Sequence, residues 1–320
     1  MLDLKDKKLL YELDTNARQT NAQLAKKIGL SRVAVQHRIN RLQEKDIIKE
    51  FITILNHKAL GFIGVRLYLK FRDVSKQHEK EVEEFLQKKV AWMVRVRGHW
   101  SFCTMIFTKS IADLEQFDHN LREQFQHNLL RAQYSTITRI YHYRRAYLID
   151  KKQDESEYNI MGAQTKPLTI DDVDIKILDV IKNNARINNI ELAQKIGVTE
   201  RIVRYRLKKL IEEKIVLGFR ARINLEKINK SYYKVHFTLN KQDKETIRRV
   251  REYAHTNPTI IYKTETIGGE DVEFEYQVSN TKELYEHIDN FTKEFADIIE
   301  GYEILEYDKE YKLSYLNTIE

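Results

Sequence analysis

Residues 30–42 read LSRVAVQHRINRL and residues 198–210 read VTERIVRYRLKKL, two basic, amphipathic phrases 168 positions apart. Wound as a helix, Val35, Ile39 and Leu42 share one face, which leaves Arg32, Gln36, His37, Arg38 and Arg41 largely outside. Arginine and glutamine on such a face can read guanine and adenine edges in the major groove, while other cations meet phosphates. The candidate DNA contacts are Ser31, Arg32, Gln36, His37, Arg38 and Arg41 in the first copy. In the second they are Thr199, Arg201, Arg204, Tyr205, Arg206 and Lys208. Arg38 and Arg206 recur identically, which suits bracing of the fold or a phosphate grip better than base reading. The plainer alternative is a solvated basic face on an ordinary helix.

Other chemistry finds little support. The ten histidines are scattered without paired ligand spacing, no glycine-rich phosphate loop is present, and Cys103 sits inside a strand pattern, where a lone cysteine is core. No catalytic residue, metal or intrinsic cofactor is expected. A single cysteine makes no internal disulfide. The chain has no apolar run near 18 residues, so no membrane span, and MLDLKDKKLL lacks a signal-peptide apolar stretch, which makes the cytoplasm the expected compartment.

The two phrases belong to a longer repeat. Asn16, Ala17, Arg18, Leu24, Ala25, Lys27, Ile28, Gly29, Val35, Arg38, Leu42 and Ile47 all return 168 residues later, from Asn184 to Ile215. Each copy opens with three short helical patterns. Asp6 or Asp174 can cap the first, Gly29 ends the second with a left-handed turn, and Ser31 or Thr199 caps the third. The stretches 47–55 and 215–223 then read as strands, giving a winged form.

Beyond each winged segment the period changes. Residues 63–71 alternate as a strand, 75–89 fit a helix with Val82, Phe85 and Leu86 inward, and 91–97 and 102–108 are strands. A helix near 110–127 and a long final strand complete β-α-β-β-α-β, and 232–316 repeat the order. The expected fold is α+β, two winged helix-turn-helix domains alternating with two ferredoxin-like βαββαβ domains. The expected division is 1–60, 61–148, a polar linker at 149–169 containing Gly162 and Pro167, 170–230 and 231–320.

With LDLKDKKLL, NARQTNAQLAKKIGLSRVAVQHRINRLQEKDIIKEF and the GGED of Gly268 to Asp271, the chain resembles the Lrp/AsnC family of prokaryotic feast/famine regulators, present as two fused copies. The resemblance implies transcription regulation, an N-terminal domain that binds double-stranded DNA, and a C-terminal domain that pairs sheet against sheet and often binds an amino-acid effector. Gly98, Gly268, Gly269 and Asp271 are the implied effector loop. Two departures stand out: Asp46 and Lys214 occupy the place of a small residue before the strand, and the first copy reads GHWS, with Ser101 in place of the aspartate.

Because the buried frame is shared and the outward residues differ, one chain is expected to supply both halves of a pseudo-twofold reader of an asymmetric operator. The winged segments 1–60 and 170–230 each carry a net +5, whereas the sheet segments carry +6 (61–148) and −8 (231–320). With the apolar strand faces turned to their own helices, Arg95 and Arg97 would meet Asp271, Glu273 and Glu275 across the two sheets, favouring intramolecular pairing of the unlike domains over pairing of like ones; a further homo-oligomer stays open. Two other classes compete. Siroheme decarboxylases look like paired Lrp-type chains, yet GFIGVRLYLKF and NKSYYKVHFTLN lack the Arg-Arg pair expected of them, and a protein-interaction scaffold would keep the fold without DNA contact.

Overall fold

The computed structural model describes residues 2–72, 76–149, 159–163 and 168–315. In the first copy, α1 (Leu4–Thr15), α2 (Asn21–Ile28) and α3 (Arg32–Glu44) precede β1 (Ile48–Leu55). Then follow β2 (Ile63–Phe71), α4 (Lys76–Lys89), β3 (Trp92–Arg97), β4 (Phe102–Thr108), α5 (Ile111–Phe125) and β5 (Leu129–His142). A short β6 (Asn159–Met161) leads to the second copy, with α6 (Asp172–Ile181), α7 (Asn189–Ile196), α8 (Glu200–Glu212) and β7 (Val216–Ile223). It closes with β8 (Ser231–Leu239), α9 (Lys244–Thr256), β9 (Ile260–Ile267), β10 (Val272–Val278), α10 (Thr281–Glu294) and β11 (Ile299–Leu313). Much of the expected linker, 150–158 and 164–167, lies outside the described residues. The part between departs from expectation, because Asn159–Met161 pairs with Ile140–His142 as a strand. No described helix is long and apolar enough to cross a membrane.

Local chemistry explains the helices. Asp3 and Asp171, three residues upstream of the expected Asp6 and Asp174, are the true caps of α1 and α6, and Asp6 and Asp174 complete capping boxes from the third helical position. Gly29 and Gly197 end α2 and α7 at φ 66° and 74°, conformations in which a Cβ would crowd the following carbonyl. Asp46 and Lys214 also adopt positive φ, 54° and 57°, so the turn into each strand keeps its left-handed geometry without the glycine.

Tertiary pairing decides the rest. β1 and β7 do not fold back on their own copies as separate wings; they pair antiparallel with each other, from Ile48 opposite Ile223 to Leu55 opposite Val216. Each ferredoxin-like sheet has the order last strand, first, third, second: β5-β2-β4-β3 and β11-β8-β10-β9. The two sheets then join edge to edge, β3 to β11 and β5 to β9, which closes an eight-stranded barrel. Closure leaves no open edge among those eight strands. The helices cover the barrel wall outside: Val65, Leu67, Met93 and Ile106 pack with Val82, Leu86 and Leu121, and Val235, Phe237 and Phe274 pack with Leu284, Ile288 and Phe291.

Strand alternation therefore sends the other faces into the barrel. On β10 the acidic face turns inward as expected. On β3 the expectation is reversed, because Trp92, Val94 and Val96 face the interior and Met93 meets the helices. Glu273 and Glu275 consequently meet neither Arg95 nor Arg97. Their partners are Lys234, at 2.8 and 3.1 Å, and Arg66 of the first copy, at 3.8 and 4.0 Å. All four side chains are buried. Two cations thus balance two carboxylates in the barrel core, and Tyr68 adds a hydroxyl donor to Glu273 at 3.1 Å. Arg95 and Arg97 still cross between copies, to Asp308 on β11. Cys103 is core, its thiol pushed up to about 11 by burial.

Burial alone would raise the Glu273 carboxyl, but Lys234 and then Arg66 outweigh it and hold it at about 2. A carboxyl depressed in the folded state contributes stability that is complete above the ordinary glutamate value of 4.5 and is lost as pH falls toward 2. Urea denaturation across that window should show the midpoint falling with pH, and less steeply in Glu273→Gln. At neutral pH the same substitution strands two buried cations on one carboxylate and should cost about 3–5 kcal/mol.

Candidate nucleic-acid interface

The outward faces of α3 and α8 are built the same way and carry different groups. Ser31 Oγ accepts from Ala34 N at 3.1 Å and Thr199 Oγ1 from Ile202 N at 3.4 Å, so both hydroxyls expected as DNA contacts also serve as helix caps. Val35, Ile39 and Leu42 are buried on α3, as are Val203, Leu207 and Leu210 on α8. These anchors leave Arg32, Gln36 and His37 exposed in one copy and Arg201, Arg204, Tyr205 and Lys208 in the other.

Three of the expected contacts have other work. Arg38 Nη1 lies 2.7 Å from Asp3 and 2.6 Å from Asp6, and Arg41 Nη2 is 2.6 Å from the same Asp6. In the second copy Arg206 Nη1 bonds Asp171 at 2.7 Å and approaches Asp174 at 3.4 Å. These arginines fasten the third helix to the N-terminus of the first, and the Arg38 hydrogen bond holds the Asp3 carboxyl below its usual range. Helical position marked them as outward. It gave no sign of the aspartates some 35 residues upstream that satisfy them.

The remaining reading groups are differently constrained. Gln36 accepts from Asn21 Nδ2 at 2.6 Å and donates to Asn40 at 2.7 Å, so its amide orientation is set. Arg204 pairs with Glu200 at 2.9 Å and Lys208 with Glu212 at 3.6 Å, exposed pairs one helical turn apart that solvent screens and a phosphate can displace. Val33 and Ile202, overlooked in the sequence, are 79% and 40% exposed beside these groups and suit contact with thymine methyls.

The residues of the implied effector loop lie at two hairpin turns, Gly98 between β3 and β4 and Gly268 to Asp271 between β9 and β10. Asp271 is tied within its own copy: it accepts from Leu239 N at 2.7 Å and also from the Gln242 side chain. A Cβ at Gly98 would lie 3.1 Å from the Ile304 carbonyl, and one at Gly269 2.6 Å from Thr266 and 2.8 Å from Ser135. Gly268 takes φ 78°. Gly98 and Gly269 thus let each hairpin turn approach the final strand of the other copy closely, a packing role.

The repeated Asn-Ala-Arg is what holds the two helical units together, a role that sequence reading missed although the identical recurrence was its signal. Ala17 N donates to Phe219 O and Ala185 N to Phe51 O, both at 2.8 Å. Arg18 donates to Ala185 O at 2.8 Å and to Asn189 Oδ1 at 2.9 Å. Arg186 reciprocates with Ala17 O and with Asn21 Oδ1, the latter at 3.0 Å. Each guanidinium also lies 5.4 Å over the other copy's phenylalanine, Phe219 or Phe51. Burial, then the neighbouring Arg186 charge, lowers Arg18 from the ordinary arginine value, and burial does the same to Arg186. The two readers are therefore locked by reciprocal contacts about a pseudo-twofold.

These observations define a paired winged helix-turn-helix protein on a closed, duplicated ferredoxin-like barrel. A family model described as winged helix-turn-helix DNA-binding matches residues 2–49 and again 170–216. An uncharacterized HTH-type transcriptional regulator of Pyrococcus horikoshii is 33% identical over 121 residues, 37% of this chain and 79% of that protein. HTH-type transcriptional regulator Ptr1 of Methanocaldococcus jannaschii is 31% identical over 122 residues, with the same coverage. The leucine-responsive regulatory protein of Rhizobium meliloti is 28% identical over 121 residues, covering 36% of this chain and 76% of its own. The chain belongs to the Lrp/AsnC family, with the family's unit present twice. Among solved structures, the siroheme decarboxylase NirDL superposes with a TM-score of 0.64 over 99% of this chain and 94% of that one, at 14% identity, a likeness of fold.

The lock can be tested by removing one fork. Arg18→Ala or Arg186→Ala leaves buried carbonyl and amide groups unpaired and should cost about 1–3 kcal/mol each in urea denaturation. Lysine at either position should restore only part of this, because one ammonium cannot reach both acceptors as a planar guanidinium does.

Proposed function

We propose that the protein is a sequence-specific regulator of transcription that binds double-stranded DNA as a built-in pseudo-dimer. The observation that carries this reading is the reciprocal lock, which holds two helix-turn-helix units in one body while their outward faces differ. Arg32, Gln36 and His37 on one side, and Arg201, Arg204 and Tyr205 on the other, offer different donors to base edges. The operator is therefore asymmetric, with two unlike half-sites about one helical turn, roughly 10 base pairs, apart or a multiple of that. Under this reading a small effector modulates DNA binding, and the Gly98 and Gly268–Asp271 turns are its candidate contacts.

One further reading has an observation in its favour. The likeness in fold to siroheme decarboxylase NirDL spans the whole chain. Under that reading the purified protein would show tetrapyrrole absorbance and enrich no DNA sequence.

Selection from a randomised duplex pool, followed by titration of the winning site across salt, tests the regulator directly. A gapped, non-palindromic site with affinity falling steeply as salt rises is expected, because each phosphate contact releases counterions. Arg201→Ala should weaken the site by about 1–3 kcal/mol and relax preference in one half only. A palindromic site, or equal loss in both halves, would overturn the asymmetric reader.

A further inference from the structure

A cleft of about 430 Å³ lies where the β1–β7 ribbon meets the barrel, within the size range of small-molecule sites. Its walls come from both ribbon strands, β1 and β7, and from barrel strands of both copies, including β5, β8, β9, β10 and β11, so no single stretch of sequence announces it. Eight lysine and arginine side chains line it against five aspartates and glutamates.

The balance is most uneven at its inner wall. Asp14 receives Arg220 through Nε at 2.9 Å and Nη2 at 2.8 Å, and receives Arg145 through its backbone N–H, at 2.9 Å, and its guanidinium. Two buried guanidinia therefore share one buried carboxylate. A surplus buried charge is expensive without a counter-ion.

Unused polar atoms gather on the same walls. Arg220 Nη1, Gln277 Nε2, His142 Nε2 and Tyr307 OH are all buried and have no hydrogen-bond partner. Gln277 is oriented by its other end, since Oε1 accepts from Arg145 Nε at 2.9 Å and from the Tyr147 hydroxyl at 2.7 Å, which leaves the amide nitrogen as the free donor. Burial, then the Arg220 charge, drives His142 far below the usual histidine range, so its ring is neutral. Its Nδ1 lies 3.5 Å from the Tyr315 hydroxyl, and Nε2 is the ring nitrogen left without a partner. Leaving such groups unmet costs about 1–3 kcal/mol each. At the pseudo-equivalent positions, Ile52 stands for Arg220 and Phe107 for Gln277, so the other side of the pseudo-twofold carries no such set.

We propose that this cleft is a binding site for a small organic anion. Arg220, Gln277 and His142 take its carboxylate or phosphate group, the Tyr307 hydroxyl makes a further contact, and Tyr232, Tyr262 and Ile140 wall its apolar or aromatic body. Because Arg220 stands on the ribbon while Gln277 and Tyr307 stand on the barrel, the bound anion ties the paired readers to the barrel. Binding itself does not depend on the regulator reading.

Calorimetric titration of the full chain with adenosine 5′-monophosphate and with 2-naphthoate tests the site and separates a phosphate from a carboxylate head. At least one probe should bind one per chain with Kd below about 1 mM. Gln277→Glu keeps the acceptor for Arg145 and Tyr147 but turns the free donor into a repelling oxygen, and should weaken binding at least about tenfold. Tyr307→Phe removes only an unpartnered hydroxyl and should weaken it about threefold or more without lowering the melting temperature. No heat from either probe at about 10 mM, or affinity unchanged in both variants, would overturn the proposal. A failure to bind DNA would leave these titrations unaffected.

Discussion

Each ferredoxin-like sheet ends in two strands whose outer N–H and C=O groups need partners, and the two sheets meet this need in one another. β3 takes β11 and β5 takes β9, so eight strands close on themselves. Closure forces one face of every strand inward, and that interior holds charge. It is tolerable because Arg66 and Lys234 are matched by Glu273 and Glu275 without surplus. The first copy contributes one of these four groups and the second contributes three, so the neutral core exists only when both copies are present.

Fusion of two units in one chain makes this possible. Arg66 and Lys234 are pseudo-equivalent, as are Tyr68 and His236, but the positions that carry Glu273 and Glu275 in one copy are Cys103 and Met105 in the other. A dimer of two second copies would hold four acids against two cations, and a dimer of two first copies would hold none. A single chain escapes that symmetry. The same freedom allows Asp14, whose counterpart is Lys182, to gather Arg145 and Arg220 on one side only.

The helical units show the opposite economy. Their shared frame is spent on contacts that must be reciprocal: Arg18 and Arg186 each reach across to the other copy, and Phe51 and Phe219 each lie under the opposite guanidinium. What differs is the outward face of α3 and α8. β7 runs from this lock to the wall of the cleft, and Arg222 carries the connection further, bonding Glu50 on β1 at 2.6 Å and Glu310 on β11 at 3.0 Å. An event in the cleft is thus one strand away from the contacts that orient the readers.

Much of the architecture was determined locally and could be read from the chain alone. Three-residue and four-residue spacings placed Val35, Ile39 and Leu42 inward, hydroxyl caps marked the start of α3 and α8, Gly29 marked the end of α2, and alternation marked the barrel strands, because all of these act within a turn or a pleat. The 168-residue repeat likewise declared the duplication. Only the tertiary structure decided what each exposed or alternating face would meet. Arg38, Arg41 and Arg206 turned toward aspartates of the preceding helices, β3 turned its tryptophan inward, and β1 found β7 instead of its own copy. The unpartnered polar atoms of Arg220, Gln277, His142 and Tyr307 came together from four strands. Periodicity states that a strand or helix has two faces; which partner covers each face depends on edge pairing and charge balance between residues far apart in sequence, and no local pattern carries that information.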